Sequence, residues 1–427
     1  MMCRWLLGIV LLLAGAIGAC SEPPVAPAAR LSAQALHAGA SFVPLASSTQ
    51  CTAGGDAAAP LTLPAGYSET VIASEPDYLD VPDMQTLNET GPFAGRFLYR
   101  THELGSNAGV SVTDLWTGET QVLVRRADWE AFDGIVWTPW GTILFAEERG
   151  VASLPDPDVP AATAGLVYEL DPATSQVAVR PAIGSRAHEG LRFDPQGNLY
   201  GISERTTGAI FKFVPDRRGD LSAGQLYALQ VINDPGDGTG EAVWVALDRD
   251  AVRINSDAAA DRVGATGYFR PEDIELATST GNSPGGAHTL YVAVTGNGTV
   301  VRGRVLAVEL RNDGTAFISN YVKVGENAPE AFLMPDNLAL DQTGRLFIAE
   351  DPGSAETTGQ GDDIWVATPP TGPDRGHAAQ VVRFASLTDC VAEPTGLYFD
   401  QSNGTLFVDI QHRGGDGLDK TLAVRQE

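Results

Sequence analysis

DGIVWTPWGTILFAEERG, residues 133–150, is an apolar, β-branched run that turns at a glycine, runs on, and ends in two adjacent glutamates. Asp133 stands in front of it. Alternating β-formers around a Gly turn read as an antiparallel hairpin, whose first and last residues lie side by side. This hairpin therefore carries acids at its open end. The plan returns in HEGLRFDPQGNLYGISE (188–204), PDNLALDQTGRLFIAED (335–351) and EPTGLYFDQSNGTLFVDIQ (393–411). RPEDIELATSTGNSPGGAHTLYVAVT (270–295) repeats it with a longer loop, and PDMQTLNETGPFAGRFLYRTHE (82–103) is a looser copy. Six copies spaced roughly 50–80 residues apart suit blades of four strands, so the chain is predicted to be all-β, a six-bladed β-propeller. A parallel β-helix or a pair of sandwiches is the alternative, with shorter or less regular repeats. Helical periodicity is nearly absent; DRRGDLSAGQLYALQ (216–230) comes nearest, interrupted by Gly224.

Equivalent blades bring equivalent hairpin ends to one mouth of the central channel. The residues expected there are Asp83, Glu103, Asp133, Glu147, Glu148, Glu189, Glu204, Glu272, Asp273, Asp336, Asn337, Glu350, Asp351 and Glu393. So many carboxylates in a partly desolvated funnel need compensation. Bound cations are the simplest source, and oxygen donors suit Ca²⁺. Acids at strand ends also cap turns or face solvent, and a single pair would carry no weight; the repetition does.

The chain has 427 residues, 43% of them hydrophobic and 19% charged, enough for a sizeable core. Acids outnumber bases 54 to 28, a net charge of -26, which disfavours a nucleic-acid partner. MMCRWLLGIVLLLAGAIGAC opens the chain with one Arg, an apolar run, small residues and Cys20, an export signal over residues 1–19. IGAC resembles a bacterial lipobox, which implies a lipid on Cys20 and, with Ser21 following, an exported lipoprotein on the periplasmic or surface face of the outer membrane. Residues 20–60, rich in Ala, Pro and Ser, read as a tether, and 61–427 as the propeller domain. Cys51 and Cys390 remain for an oxidising compartment, where a disulfide is expected.

Several motifs resemble those of PhoX-type alkaline phosphatases. They are TPWGTILFAEE, PDNLALDQTGRLFIAED, RTTGAIFKFVPDRRGDLSAGQLYALQV, RPEDIEL, YRTHE and GTLFVDIQHRG, within about Asp83 to Gly414. The resemblance implies a metal cluster of calcium and iron that hydrolyses phosphomonoesters. Carried over by motif, the metal ligands are Glu148, Glu272 and Glu393, with Glu189, Asp336, Asn337 and Glu103 behind them. Glu147, Asp133 and Glu350 complete the candidate set. The family places a cysteine shortly before TPWGT; this chain has Asp133 near that position, which shifts the expectation from Fe³⁺ toward the harder Ca²⁺.

Arg205 and Arg270 adjoin mouth acids and His412 lies at a hairpin end near the mouth, and all three are candidates for substrate contact; salt bridges to those acids are the plainer role for the arginines. His102 and His188 precede mouth acids and read as supporting residues. No G-x-S-x-G elbow, Walker loop or GxGxxG follows a strand. The function expected is a metal-dependent phosphomonoester hydrolase, active as a monomer on a small molecule. A non-enzymatic, calcium-stabilised binding propeller and a lactonase-like propeller hydrolase are the alternatives.

Overall fold

The computed structural model describes residues 42–277, 288–297, 301–352, 359–370, 376–415 and 417–427. The export signal, Cys20 and the start of the expected tether lie outside them. β1 (Leu61–Thr62) and β2 (Tyr67–Ser74) come first and join sheets made much later in the chain. β3 (Pro82–Leu87), β4 (Phe97–His102), β5 (Gly109–Asp114) and β6 (Thr120–Arg125) pair in chain order, as do β7 (Phe132–Trp137), β8 (Ile143–Glu147), β9 (Val167–Asp171) and β10 (Gln176–Val179). β11 (His188–Phe193), β12 (Leu199–Ser203), β13 (Ile210–Arg217), β14 (Asp220–Val231) and β15 (Gly240–Ala246) continue the pattern. After helix α1 (Ala251–Arg262) come β16 (Pro271–Ala277), β17 (His288–Val294), β18 (Arg304–Leu310) and β19 (Thr315–Lys323). β15 pairs with β19, which fuses these nine strands into one sheet. β20 (Pro335–Leu340), β21 (Leu346–Glu350), β22 (Asp363–Thr368) and β23 (Gln380–Leu387) take β1 as their outer strand. β24 (Glu393–Asp400), β25 (Thr405–Gln411) and β26 (Lys420–Gln426) take β2.

The fold is all-β and propeller-like. β3 packs against β7, β7 against β11, β11 against β16, β16 against β20, β20 against β24, and β24 back against β3. The inner strands are buried on both faces, so β3 and β7 show no exposed residue at all. The core fills the wedges between sheets. Trp129, Phe132, Phe145 and Tyr168 stack in one wedge, and Leu98, Phe407 and Ala423 join the first sheet to the last.

The spacing of neighbouring inner strands depends on glycine at two places. A Cβ on Gly134 would stand 2.2 Å from the Glu189 carbonyl oxygen, and one on Gly190 would stand 2.0 Å from Asp273 Oδ1. These glycines let successive inner strands approach this closely.

Two expectations need correcting. DRRGDLSAGQLYALQ is the β13–β14 hairpin, and its Gly224 makes room for the Phe213 ring, 2.4 Å from where a Cβ would sit. The helix is α1, a polar segment without a clear apolar stripe, broken at Asn255, so no period announced it. Nor does the folded domain start at 61. Leu45 N donates to Arg383 O (3.2 Å), Ser48 Oγ to Asp363 Oδ2 (2.8 Å) and Gly54 N to Asp389 Oδ1 (2.9 Å). Cys51 is bonded to Cys390, in the link between β23 and β24, across 339 residues. Composition read residues 45–60 as tether because their order comes from partners more than 300 residues away.

Two outcomes follow. Replacing Cys51 by Ala should lower unfolding stability by about 2–5 kcal/mol, measured as the shift in urea midpoint; an unchanged midpoint would mean the hydrogen bonds of residues 45–60 suffice alone. Gly134→Ala should cost about 1–3 kcal/mol, because its Cβ meets backbone that cannot swing aside.

Candidate metal centre

The acids reach one place through a defect repeated in each inner hairpin. Pairing slips between Pro82 and Gln85, Phe132 and Ile135, His188 and Leu191, Pro271 and Ile274, and Pro335 and Leu338. Asp83, Asp133, Glu189, Glu272 and Asp336 lie inside these slips. A β-bulge breaks the in-out alternation and re-aims a side chain, here toward the ring's centre. In the sixth hairpin the slip falls between Thr395 and Tyr398, and the acid is Glu393 at the strand's first residue. Thr395 Oγ1 donates to Asp83 Oδ1 at 2.6 Å and closes the circle.

A second set comes from the residue after four of the six returning strands. Glu103, Glu148 and Asp351 hang their N–H groups on the carbonyls of Val81 (2.9 Å), Ala131 (2.8 Å) and Met334 (3.1 Å). Those three acceptors are left-handed, with φ of 54°, 42° and 35°. Backbone strain of this kind costs on the order of 1–3 kcal/mol per residue and gathers at functional sites. Glu204 N reaches Ala187 O at 3.2 Å in the same way.

The groups are close enough to act together. One oxygen each of Asp133, Glu148 and Glu189 lie within 4.8 Å of one another, and so do oxygens of Glu189, Glu204 and Glu272. Glu189 belongs to both triads. Burial and the charge of Glu103 push the Asp83 carboxyl up to about 8. Burial, then Asp83, raises Asp133; burial, then Asp133 and Glu272, raises Glu189. Asp336 is raised by burial and Glu272, and Glu393 by burial and Asp351. Glu272 is raised by burial and Glu204 against the pull of Arg270.

Arg270 is the guanidinium at this mouth, with Nε 2.5 Å from Glu204 Oε1 and Nη2 2.9 Å from Glu272 Oε1. His412 is 53% exposed, its Nε2 3.6 Å from Glu393 Oε1. Asp133 Oδ1 is buried and has no hydrogen-bond partner among the described residues. An orphaned buried oxygen among crowded carboxylates fits cations, and a donor set made of oxygen fits hard ones.

Several expected site residues do other work. Glu147 points away from Glu148, since adjacent residues of a strand face opposite sides. Its Oε2 accepts from Leu166 N (3.1 Å) and its Oε1 from Glu130 N (3.3 Å). Glu350 is the same case beside Asp351; it accepts from Leu333 N at 2.5 Å. Asn337 Oδ1 accepts from Gly396 N, bracing the next inner strand, and lies 2.7 Å from Thr395 Oγ1. Asp273 is its counterpart, accepting from Leu338 N at 2.8 Å. Arg205 turns outward to α1, with Nη2 2.5 Å from Asp261 Oδ1. His102 and His188 are buried, bound to Asp80 O and Ser111 Oγ and to Gly184 O respectively. Asp83, Glu204 and Asp351, expected at the mouth but not among the ligands, stand in the ring; their bulge and strand-end positions were the signal.

No curated protein matches the chain. Among solved structures it is similar to Pseudomonas fluorescens PhoX in complex with vanadate, a transition state analogue, with a TM-score of 0.64 and 19% identity over 89% of this chain and 98% of that one. A putative oxidoreductase (glucose dehydrogenase) from Thermus thermophilus aligns with a TM-score of 0.47 and 15% identity over 84% of this chain and all of that one. The model of the alkaline phosphatase PhoX family matches residues 136–414, well over half of the sequence and five of the six acid-bearing hairpins in whole or part. The chain belongs to the PhoX alkaline phosphatase family, a phosphatase-type hydrolase.

Proposed function

We propose that the chain hydrolyses small phosphomonoesters at the acid ring, with Ca²⁺ as the resident cation. Glu189 shared between two carboxylate triads is the observation that carries this reading. The nine-stranded sheet counts as two blades joined by β15, which makes the fold six-bladed and the ring its channel mouth. Asp133, Glu148 and Glu189 would hold one cation, and Glu189, Glu204 and Glu272 its neighbour. Asp336, Asp351 and Glu393 line the remaining arc, with Glu103 beside Glu148. When bound, the cations supply the positive charge that draws a phosphate into an acidic mouth and polarises its P–O bonds.

The chain's own residues do the rest. Arg270 fixes Glu204 and Glu272, and its part-exposed guanidinium is placed to donate to a phosphate oxygen. His412 projects beside Glu393 as a second substrate contact. Thr395 and Asn337 keep Asp83 and Asp336 from swinging toward each other. On this reading the N-terminal signal would leave a lipoprotein anchored through Cys20 to the periplasmic or surface face of the outer membrane, with the monomer as the proposed active unit.

Hydrolysis of p-nitrophenyl phosphate by the full chain tests the reading. Activity should vanish with EDTA and return with Ca²⁺; return with Fe³⁺ alone would replace calcium in the proposal. Glu189→Gln should lower kcat/KM by at least about a hundredfold, while Glu147→Gln should act on stability and spare kcat. Bound calcium without turnover would remove the enzymatic reading and leave a binding propeller.

A pH dependence follows as well. Carboxyls raised from the ordinary range to about 8, as at Asp83, favour folding while protonated and lose that contribution as pH rises through the folded value. Metal-free protein should therefore melt at progressively lower temperature from about pH 5 to about pH 9. Saturating Ca²⁺ should flatten the slope; a flat metal-free profile would show that the ring does not repel itself.

A further inference from the structure

The six inner strands have a second set of ends. Each starts at the acid ring, and its far end borders a cavity of about 840 Å³. At ~3.3 Å per residue the two ends stand about 17–20 Å apart, so the cavity is a separate place. Arg192 and Glu275 face it but satisfy each other, with Nε–Oε1 3.1 Å and Nη2–Oε2 2.9 Å. Asp194 and Asp341 line it too, yet their oxygens are taken up by Asn198 and by Thr343 and Arg345 of their own turns.

Glu89 differs from all of these. Its Oε1 accepts from the Tyr398 hydroxyl at 2.9 Å, and among the described residues no hydrogen bond reaches Oε2. Glu89 is exposed, yet desolvation by the protein around it raises its carboxyl from the ordinary range, against the Tyr398 hydrogen bond and the charge of Arg192. Its walls include Phe193, Leu276 and the Tyr398 ring. A lone carboxylate offers too few oxygens for Ca²⁺, which takes about six to eight. Among the described residues an anion finds no unpaired cation there, since Arg192 is committed to Glu275. An ammonium group finds both a carboxylate and aromatic surface.

We propose that this cavity binds a small organic ammonium ion, whose N–H donates to Glu89 Oε2 while its carbon body lies against Phe193, Leu276 and Tyr398. Calorimetric titration of the full chain with benzylamine tests this, in roughly 0.15 M salt to screen the general negative charge and with Ca²⁺ present to occupy the acid ring. Saturable binding of one benzylamine per chain is expected, with none by benzyl alcohol, which has the same body and no charge. Glu89→Gln should weaken it about tenfold or more, and Glu148→Gln should leave it unchanged. Thr90→Lys, on the exposed rim, tethers a competing ammonium and should also weaken it. Should Glu89→Gln fail to fold, Thr90→Lys decides. Absence of saturable binding, unchanged binding in Thr90→Lys or in folded Glu89→Gln, or loss in Glu148→Gln would overturn the proposal.

Discussion

Repulsion among the carboxylates gathered where the inner strands begin is the constraint on which the rest of the structure depends. Each acid alone would relax into water. Here a bulge aims the first of each pair, and a carbonyl, often from a strained residue, pins the second. The strain and the repulsion must both be outweighed by packing elsewhere, and the fully buried inner strands and their aromatic wedges are that packing. Gly134 and Gly190 bring the strands close enough for the acids to meet. The same closeness makes the site sensitive to a single methyl group.

Polarity is divided along the inner strands. At one end the carboxylates stand together with Arg270 beside Glu204 and Glu272. At the other, Arg192 is matched oxygen by nitrogen to Glu275. Between them, Asp273, Asn337 and Gln85 reach sideways into neighbouring strands rather than into the channel. These cross-links supply the register that hydrophobic wedges, being non-directional, do not. They explain why Asn337 resembles a ligand in sequence and is a brace in space.

Much of this was legible in the sequence, and the misses share a cause. The hairpin plan, the end at which acids gather and the Cys51–Cys390 pair all follow from local pattern or from elimination. Which acid of an adjacent pair faces the ring does not. Glu147 and Glu148 differ only in the side of the strand they occupy, and that side is set by a one-residue slip that composition does not encode. The acids at 350 and 351 repeat the lesson. Arg205 follows a mouth acid in sequence, yet it pairs with α1, an inserted helix whose position no periodicity revealed.

The pairing of β2 with β26, and of β1 with β23, sets an order of events. Both N-terminal strands wait for partners synthesised near the other end. A chain emerging from a ribosome can assemble its early hairpins, but β1 waits for β23, and the last sheet stays open until β26 arrives. Asp83 then meets Thr395, and the circle of acids closes. A cation captured by the finished ring would thus be drawn from whatever surrounds the completed chain.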